Sequence, residues 1–148
     1  MAAPDNQTAL QQYIRFYEAL SPQMLEHLGE IFTADARFKD PFNDVRGVDK
    51  IRKVFDNMFK TVGVPQFRVT DWGFSDQDKT HAFLRWHFIY RVGGKGEPVV
   101  VEGMSDVTFA PDHKVSSHLD FWDAGQGLYE HLPIIGAVLR MIRKRVEA

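Results

Sequence analysis

Residues 31–55, IFTADARFKDPFNDVRGVDKIRKVF, give the clearest indication of the fold. The run ARFKDPF predicts a short strand that ends at Asp40, because a residue before proline is biased toward extended backbone. Asp49 then opens a helix, and Gly63 and Pro65 end it. One apolar stripe of that helix consists of Ile51, Val54, Phe55 and Met58. The stretch therefore predicts a strand, a turn and an amphipathic helix in close succession.

Two further helices are predicted before this stretch. Thr8 and Gln11 form a capping-box pattern, which predicts a first helix over about residues 9–20. Its apolar positions are Leu10, Tyr13, Tyr17 and Leu20. The Ser21-Pro22 pair supplies an N-cap and a proline at the first helical position, so a second helix is predicted to run to about Phe32.

After residue 65 the hydrophobic period changes from that of helices to that of strands. HAFLRWHFIYR alternates, and its apolar set is Ala82, Leu84, Trp86, Phe88 and Tyr90. With FRVTDWGF, PVVVEGMSDVTF and VSSHLDFWD it predicts a four-stranded antiparallel meander. Helices followed by a curved meander predict an α+β fold in which the helices cover one sheet face. We interpret residues 1–148 as one domain with a C-terminal helical extension over residues 124–148.

Composition excludes several classes of function. A net charge of −2 argues against nucleic acid as the main partner, which requires a basic surplus on one face. The absence of cysteine excludes disulfides, thiolate metal sites and cysteine nucleophiles. The first ten residues, MAAPDNQTAL, have no basic stretch followed by an apolar run, and no segment approaches the ~20 apolar residues of a membrane span. We expect a cytoplasmic protein.

The predicted strand SSHLDFWDAG, residues 116–125, interleaves a histidine and aspartates with apolar side chains. Burying such polar groups in a strand costs free energy. In a strand, His118, Asp120 and Trp122 share one face, while Leu119 and Phe121 share the other. At about 3.3 Å per residue, His118 and Asp120 lie about 6.6 Å apart along the strand, close enough to act on one small molecule. Their polar groups can serve proton transfer, or they can simply satisfy each other.

The order of elements, the pattern F-x-x-D-A-x-F-x-D-P at residues 32–41 and the run KVSSHLDFW resemble the nuclear transport factor 2-like superfamily over residues 8–123. That superfamily includes ketosteroid isomerase, SnoaL-like polyketide cyclases and limonene epoxide hydrolase. The resemblance implies a cone in which the sheet curls around the helices and leaves a pocket open at one end. It also implies that the face carrying His118, Asp120 and Trp122 looks into this pocket.

The resemblance also implies roles for single residues. Asp40 falls where ketosteroid isomerase keeps its catalytic base, whereas the oxyanion-hole tyrosine and aspartate align with Phe16 and Ser105. Losing both donors argues against steroid isomerisation itself, although Tyr13 and Tyr17 flank the tyrosine position. We predict Asp40, His118 and Asp120 as catalytic residues. The predicted substrate-binding residues are Tyr13, Phe16, Tyr17, Val54, Trp86, Phe88, Ser105 and Trp122.

The predicted function is binding of a small hydrophobic molecule and acid–base proton transfer on it, by an isomerase, cyclase or epoxide-hydrolase type of reaction. Two carboxyl groups in one apolar pocket favour the neutral form of at least one of them. The alternative is a non-catalytic ligand-binding or protein-interaction module in which Asp40 accepts hydrogen bonds from loop amides. We expect a homodimer and no organic cofactor. We also expect no metal, because His81 and His87, the conceivable third ligands, lie on the opposite strand face from Trp86.

The C-terminal run GQGLYEHLPIIGAVLRMIRKRV is predicted to be helical with an interruption near Pro133, which lacks the amide proton of an interior helical bond. Its apolar side consists of Leu128, Leu132, Ile135, Val138, Leu139 and Ile142, and its cations are Arg140, Arg143, Lys144 and Arg145. We expect the apolar side to pack on the domain or on a second copy. Contact with anionic lipid is the less favoured alternative, since the helix macrodipole alone accounts for cations in a last turn.

Overall fold

The computed structural model describes residues 5–131 and 135–147. The helices are α1 (Asn6–Glu18), α2 (Leu28–Ile31), α3 (Val48–Val62), α4 (Ala124–Gly127) and α5 (Ile135–Val146). The strands are β1 (Phe32–Lys39), β2 (Asp44–Arg46), β3 (Gln66–Phe74), β4 (His81–Tyr90), β5 (Val99–Phe109) and β6 (Val115–Trp122). Short 3-10 turns occupy Pro22–His27, Val92–Gly94 and Tyr129–His131.

The strands form one curved sheet in the order β2-β1-β6-β5-β4-β3. Neighbours are antiparallel except β1 and β6, which run parallel with Phe38 opposite His118. Register shifts leave one extra residue in β3 between Val69 and Asp71, and one extra residue in β6 between Val115 and Ser117, and such bulges increase local twist. The predicted α+β fold and the four-stranded meander are confirmed. The sequence did not predict β2 or the pairing of β1 with β6.

The core lies between the helices and one face of this sheet, which we call the inner face. Helix α1 buries one side and α3 buries Ile51 and Phe55. The buried residues of α1 are Leu10, Tyr13, Ile14, Phe16 and Tyr17. Gly63 ends α3 as expected, with a positive φ of 72° that glycine adopts without strain. Aromatic residues of both helices therefore face the strands that carry the predicted site.

Two predicted helix boundaries differ from the structure. Helix α1 begins at Asn6 rather than at residue 9, because Asp5 caps it by accepting a hydrogen bond from the Thr8 amide at 2.7 Å. The predicted capping box at Thr8 is therefore wrong. The second helix is a 3-10 turn followed by the four residues of α2, and Phe32 already belongs to β1.

The C-terminal segment is helical on both sides of Pro133, which lies outside the described residues, as does Leu132. Of the two predicted partners for the apolar side of this segment, the domain itself does not cover α5, whose Ile135, Val138 and Ile142 are all about half-exposed. Packing on a second copy stays a prediction. Within residues 5–131 and 135–147, no helix has the length and apolar character needed to cross a membrane.

Candidate active site

Alternate residues of β4, β5 and β6 meet α1 on the inner face. The strand register places Leu84 opposite Ser105 and Ser105 opposite Asp120, so that these side chains form one row across the sheet. Tyr13 and Tyr17, four positions apart, project from the same side of α1. The strand pairing and the helical repeat together gather polar groups in an otherwise apolar core.

His118 lies at the centre of this group, and only 2% of its surface is exposed. Its imidazole is stacked between the ring of Phe38, at 4.8 Å between centroids, and the ring of Tyr17, at 5.4 Å. The hydroxyl of Tyr13 lies 2.7 Å from Nδ1, and Nε2 lies 2.6 Å from Asp120 Oδ1. Since the carboxylate can only accept, Nε2 carries the proton and Nδ1 accepts from Tyr13. The imidazole is thus fixed in position and tautomer.

Asp120 receives two donors on one oxygen. His118 Nε2 and, at 2.5 Å, Ser105 Oγ both donate to its Oδ1, and the indole Nε1 of Trp86 donates to Ser105 Oγ at 2.8 Å. The other oxygen, Oδ2, accepts no hydrogen bond from any residue that the structure describes. The side chain of Asp120 keeps 14% exposure. One carboxylate oxygen is therefore used for positioning, and the other is available to a ligand or to water.

Two tyrosine hydroxyls complete the chain of donors. Tyr13 and Tyr17 lie 3.4 Å apart at their hydroxyl oxygens, and Tyr13 gives its proton to the shorter bond with His118, so Tyr17 donates to Tyr13. Burial raises the pKa of Tyr13 well above its usual value, and the charge of Asp120 adds to this. Burial and nearby negative charges, including Asp120 and Asp40, likewise raise the pKa of Tyr17. Both phenols therefore remain neutral donors at ordinary pH.

A small cavity lies within this group. It offers about 10 Å³ to the centre of a water molecule, which is room for one water. Its walls are formed by Tyr13, Ile14, Tyr17, Phe67, Val69, Leu84, Trp86, Ser105, His118 and Asp120. The sequence analysis did not assign the apolar members Ile14, Phe67, Val69 and Leu84 to the site, although alternation along the strands already placed Leu84 on the face of Trp86.

Gly103 determines where the indole of Trp86 lies. The two residues are paired across β4 and β5, and a Cβ added to Gly103 would lie 2.6 Å from Cζ2 of Trp86. A glycine inside a strand often marks such a close approach. The absent side chain lets the indole lie over the β5 backbone and reach Ser105. Gly103 was not among the predicted site residues, and its only signal in the sequence was a glycine within an otherwise continuous strand pattern.

Asp40 follows β1 at the edge of this region. Its Oδ1 accepts hydrogen bonds from the amides of Phe42 at 2.7 Å and Asn43 at 2.8 Å, and the Asn43 side chain donates to both oxygens. Asp40 is half-buried and is not one of the residues that line the cavity. This is the loop arrangement weighed above as the structural alternative. The role of Asp40 as general base stays a prediction.

The other predicted residues divide into two groups. Tyr13, Tyr17, Trp86 and Ser105 line the cavity with His118 and Asp120. The residues outside the lining are Phe16, Val54, Phe88 and Trp122. Phe16 packs near Phe55, and Trp122 packs near Phe42. The hydroxyl donors that α1 brings to the cavity are Tyr13, three positions before Phe16, and Tyr17, one position after it.

Trp122 and the C-terminal segment cover one end of the inner face. The hydroxyl of Tyr90 donates to the carbonyl of Gly127 at 2.7 Å, and a Cβ at Gly127 would lie 3.1 Å from the Trp122 ring. Phe42 contacts the rings of both Trp122 and Tyr129. The segment that follows β6 is thus anchored on the sheet through α4 and the turn after it.

Among the residues that the structure describes, no group of three or more histidine or acidic side chains is arranged to hold a metal ion. His81, once considered as a third ligand, pairs with Asp106 instead. The polar side chains that line the cavity are those of Asp120, His118, Ser105, Tyr13, Tyr17 and Trp86, and they offer a carboxylate, an imidazole and neutral donors.

Comparison with known proteins identifies one family and several structures of similar fold. The family model for the SnoaL-like domain matches residues 13–118. No curated protein matches the chain. TsrD from Streptomyces laurentii is 20% identical, with a TM-score of 0.64 over 88% of this chain and 94% of TsrD. A Catenulispora acidiphila protein with a ketosteroid isomerase-like fold, in complex with trimethylamine, is 16% identical, with a TM-score of 0.67 over 86% of this chain and 92% of that one.

A further similar structure is that of SalBIII, an epoxide hydrolase/cyclase-like enzyme in pyran ring formation in the polyether salinomycin. It is 16% identical, with a TM-score of 0.67 over 82% of this chain and 92% of SalBIII. At these identities the likeness establishes a shared fold, and the chemistry must be argued from the site itself.

Proposed function

The chain belongs to the SnoaL-like domain family, and from that premise we propose that it binds a small hydrophobic molecule and catalyses acid–base proton transfer on it. The observation that carries this proposal is the buried His118–Asp120 pair, joined at 2.6 Å within an aromatic-walled cavity. A carboxylate and an imidazole that meet in a water-poor site are the kinds of group that take up and return a proton in acid–base catalysis.

The contacts suggest a division of roles. Oδ2 of Asp120 is the oxygen left without a donor among the described residues, and it is our candidate for accepting the proton. His118 and Ser105 hold Oδ1 and stabilise the carboxylate through their hydrogen bonds. Tyr17 makes only a long bond of 3.4 Å to Tyr13, so its hydroxyl is the donor best placed to turn toward a substrate oxygen.

The cavity in this conformation holds one water, so a larger molecule enters only if part of the wall moves. Phe67 and Trp86 are the large side chains of the wall contributed by the sheet, and they contact each other with ring centroids 5.6 Å apart. We propose that substrate displaces this aromatic pair. The water-sized space also favours a variant of the reaction in which the Asp120 pair activates a water for epoxide opening.

Asp40 remains the second candidate for the base. Its charge contributes to the raised pKa of Tyr17, which places it within electrostatic reach of the cavity. The Asp40→Asn variant keeps an acceptor for the loop amides but removes the basic carboxylate. Turnover at the wild-type rate in Asp40→Asn would leave Asp120 and His118 as the catalytic pair, and a loss equal to that of Asp120→Asn would restore Asp40 as the base.

The alternative function is a binding module without catalysis. The hydrogen bonds among His118, Tyr13, Ser105 and Asp120 Oδ1 favour it, because no fully buried side-chain nitrogen or oxygen in the described part of the chain lacks a hydrogen-bond partner. A site whose polar groups satisfy one another also stabilises a core without performing chemistry.

One experiment separates these functions. Thermal shift first selects ligands from ketones, epoxides, sterol-like and fatty acyl compounds. Each ligand is then incubated with the protein in ²H₂O and in ¹⁸O-water. Proton transfer at carbon introduces deuterium, epoxide hydrolysis introduces ¹⁸O, and cyclisation gives a new product of unchanged mass that chromatography separates. A pure binding module returns the ligand unlabelled and unchanged.

The matched control for this experiment is Asp106→Asn. Asp106 also pairs with a histidine, but on the opposite face of the same sheet. Label incorporation that disappears in Asp120→Asn and persists in Asp106→Asn supports the proposal. Incorporation that persists in Asp120→Asn and in Asp40→Asn would overturn it.

We also propose a homodimer. The outer face of the sheet exposes Phe83, Met104 and Phe121, and Met104 is paired directly with Phe121 across β5 and β6. Exposed apolar patches of this kind are typical of association surfaces. Light scattering should give twice the chain mass for the wild type, and Phe121→Asp should lower it toward the mass of one chain.

A further inference from the structure

Helix α5 rests on the rest of the chain through its polar and small side. Gly136 is buried, and a Cβ at this position would lie 2.7 Å from the carbonyl carbon of Glu130. Arg140 donates to the Glu130 carbonyl, and Arg143 pairs with the Glu130 carboxylate. These contacts fix the rotation of the helix, because they all lie on one side of it.

The opposite side of α5 is apolar and faces solvent. Its residues are Ile135, Val138, Met141 and Ile142, with 47% to 53% of their surface exposed. At 3.6 residues per turn these four residues cover an arc of about 120°. We call them the apolar strip. A helix that served only to cover the domain would turn this side inward, whereas the contacts of Glu130 hold it outward.

The charges of α5 differ from those of the remaining chain. Residues 135–148 carry four cations and one carboxylate and so have a net charge of +3, whereas the whole chain has −2, which leaves −5 on residues 1–134. Lys144 and Arg145 are exposed, and the helical repeat places Arg145 between Met141 and Val138 on the apolar strip.

The position of Arg145 helps to decide whether a second protein or a lipid surface covers the apolar strip. Against a second protein, a cation within an apolar strip is costly unless a carboxylate meets it. At a lipid surface, the long arginine side chain places its charge among the headgroups while its methylenes stay with the apolar residues. The combination of an apolar strip and bordering cations therefore fits an anionic lipid surface best.

We propose that α5 docks this protein on an anionic membrane, with the helix lying in the plane of the interface. The apolar strip enters the boundary of the acyl chains, and Lys144 and Arg145 meet the phosphate groups. The twelve residues of α5 rise about 18 Å, well short of the ~30 Å hydrocarbon core, so the helix lies on the membrane and does not cross it. This inference does not depend on the proposed reaction.

The test is sedimentation of the full-length protein with vesicles of phosphatidylcholine alone and with vesicles that also contain phosphatidylglycerol. We expect binding to the anionic vesicles that weakens with added salt. Ile142→Asp places a charge on the apolar strip and should weaken binding about tenfold or more. Val64→Asp is the matched control, since it adds the same charge at an exposed valine in the loop between α3 and β3, and it should bind as the wild type does.

A second variant keeps the test decisive if Ile142→Asp fails to fold. Lys144→Glu with Arg145→Glu changes only exposed positions and should abolish the preference for anionic vesicles. Failure of the wild type to bind anionic vesicles, or equal binding by Ile142→Asp, would overturn the proposal. It would also be overturned if no vesicles were bound and Ile142→Asp converted a dimer into a monomer, because a second copy would then cover the apolar strip.

Discussion

Two histidine–aspartate pairs lie on opposite faces of one sheet, and they share little beyond their residue types. The His118–Asp120 pair is on the inner face with side-chain exposures of 3% and 14%, and the His81–Asp106 pair is on the outer face with 35% and 24%. Water and ions screen the outer pair. The inner pair interacts with Tyr13 and Ser105 in a medium of low dielectric, where each hydrogen bond is electrostatically stronger.

The surroundings, and not the residue types, distinguish the two pairs. The inner imidazole is held between two aromatic rings and has one defined tautomer. The outer pair is bordered by Phe83 on its own strand and by solvent. The following predictions test this difference between the two faces.

The largest effect is expected for Asp120→Asn. Loss of the carboxylate removes the proposed proton acceptor, so turnover of a substrate from the labelling screen should fall about 10²- to 10⁴-fold. Asp106→Asn should change turnover less than about threefold, since Asp106 lies on the outer face and does not line the cavity. Steady-state kcat/KM of the two variants checks this, and equal losses would mean that the inner face is not special.

The next effect concerns the support of the inner pair. Gly103→Ala places a methyl group against the Trp86 indole and displaces it from Ser105, which should lower the free energy of unfolding by about 1–3 kcal/mol. Gly73→Ala is the control, because a Cβ there meets nothing within 4 Å. Urea unfolding followed by tryptophan fluorescence measures both variants. A Gly103→Ala protein as stable as Gly73→Ala would show that the position of Trp86 is not tightly determined.

Asp40 provides a smaller effect at the rim of the cavity. Asp40→Ala removes the acceptor of two loop amides and should lower the free energy of unfolding by about 1 kcal/mol. Asp40→Asn retains an acceptor oxygen and should recover most of that loss, as measured by thermal unfolding. If the asparagine variant were as unstable as the alanine variant, the charge of Asp40 would be the stabilising feature and the turn would not.

The smallest effect is a dependence on alkaline pH. Because burial raises the pKa of Tyr13 and Tyr17, the folded protein keeps their protons when the unfolded chain begins to lose them. Their contribution to the free energy of unfolding is fully present well below pH 10 and is lost as the pH rises. At pH 10 itself, the loss is about 0.4 kcal/mol per tyrosine.

The double variant Tyr13→Phe with Tyr17→Phe should therefore lose stability less steeply between pH 9 and about pH 10.5 than the wild type does. The measured quantity is the slope of the free energy of unfolding against pH, with Tyr129→Phe as the control. A slope unchanged by the double substitution would place the hydroxyls of both tyrosines in contact with solvent.

Local sequence patterns predicted much of the inner face. Alternation along β6 placed His118 and Asp120 on one side, and the structure finds them together at the cavity. The helical repeat left open which of Tyr13, Phe16 and Tyr17 occupies the position of the oxyanion-hole tyrosine, because a small shift along the helix changes which side chain faces the sheet. Only the packing of α1 against β6 decides between them.

Other features had no local signal. The partners of Asp40 depend on the turn geometry of Phe42 and Asn43, and the role of Gly103 depends on its register with Trp86. For α5, the hydrophobic pattern identified an apolar side but not its direction. That direction depends on Glu130, which contacts α5 from the preceding turn.

The parallel pairing of β1 with β6 has a consequence for the order of folding. It brings together the two halves of the chain, and the bond from Tyr13 to His118 joins residues 105 positions apart. Contacts of such separation form only after a large loss of chain entropy, whereas the hairpins of β3 to β6 close locally. In a refolding experiment, the meander should therefore gain protection from hydrogen exchange before the cavity regains affinity for a ligand, and a chain arrested between these stages should have a sheet but no site.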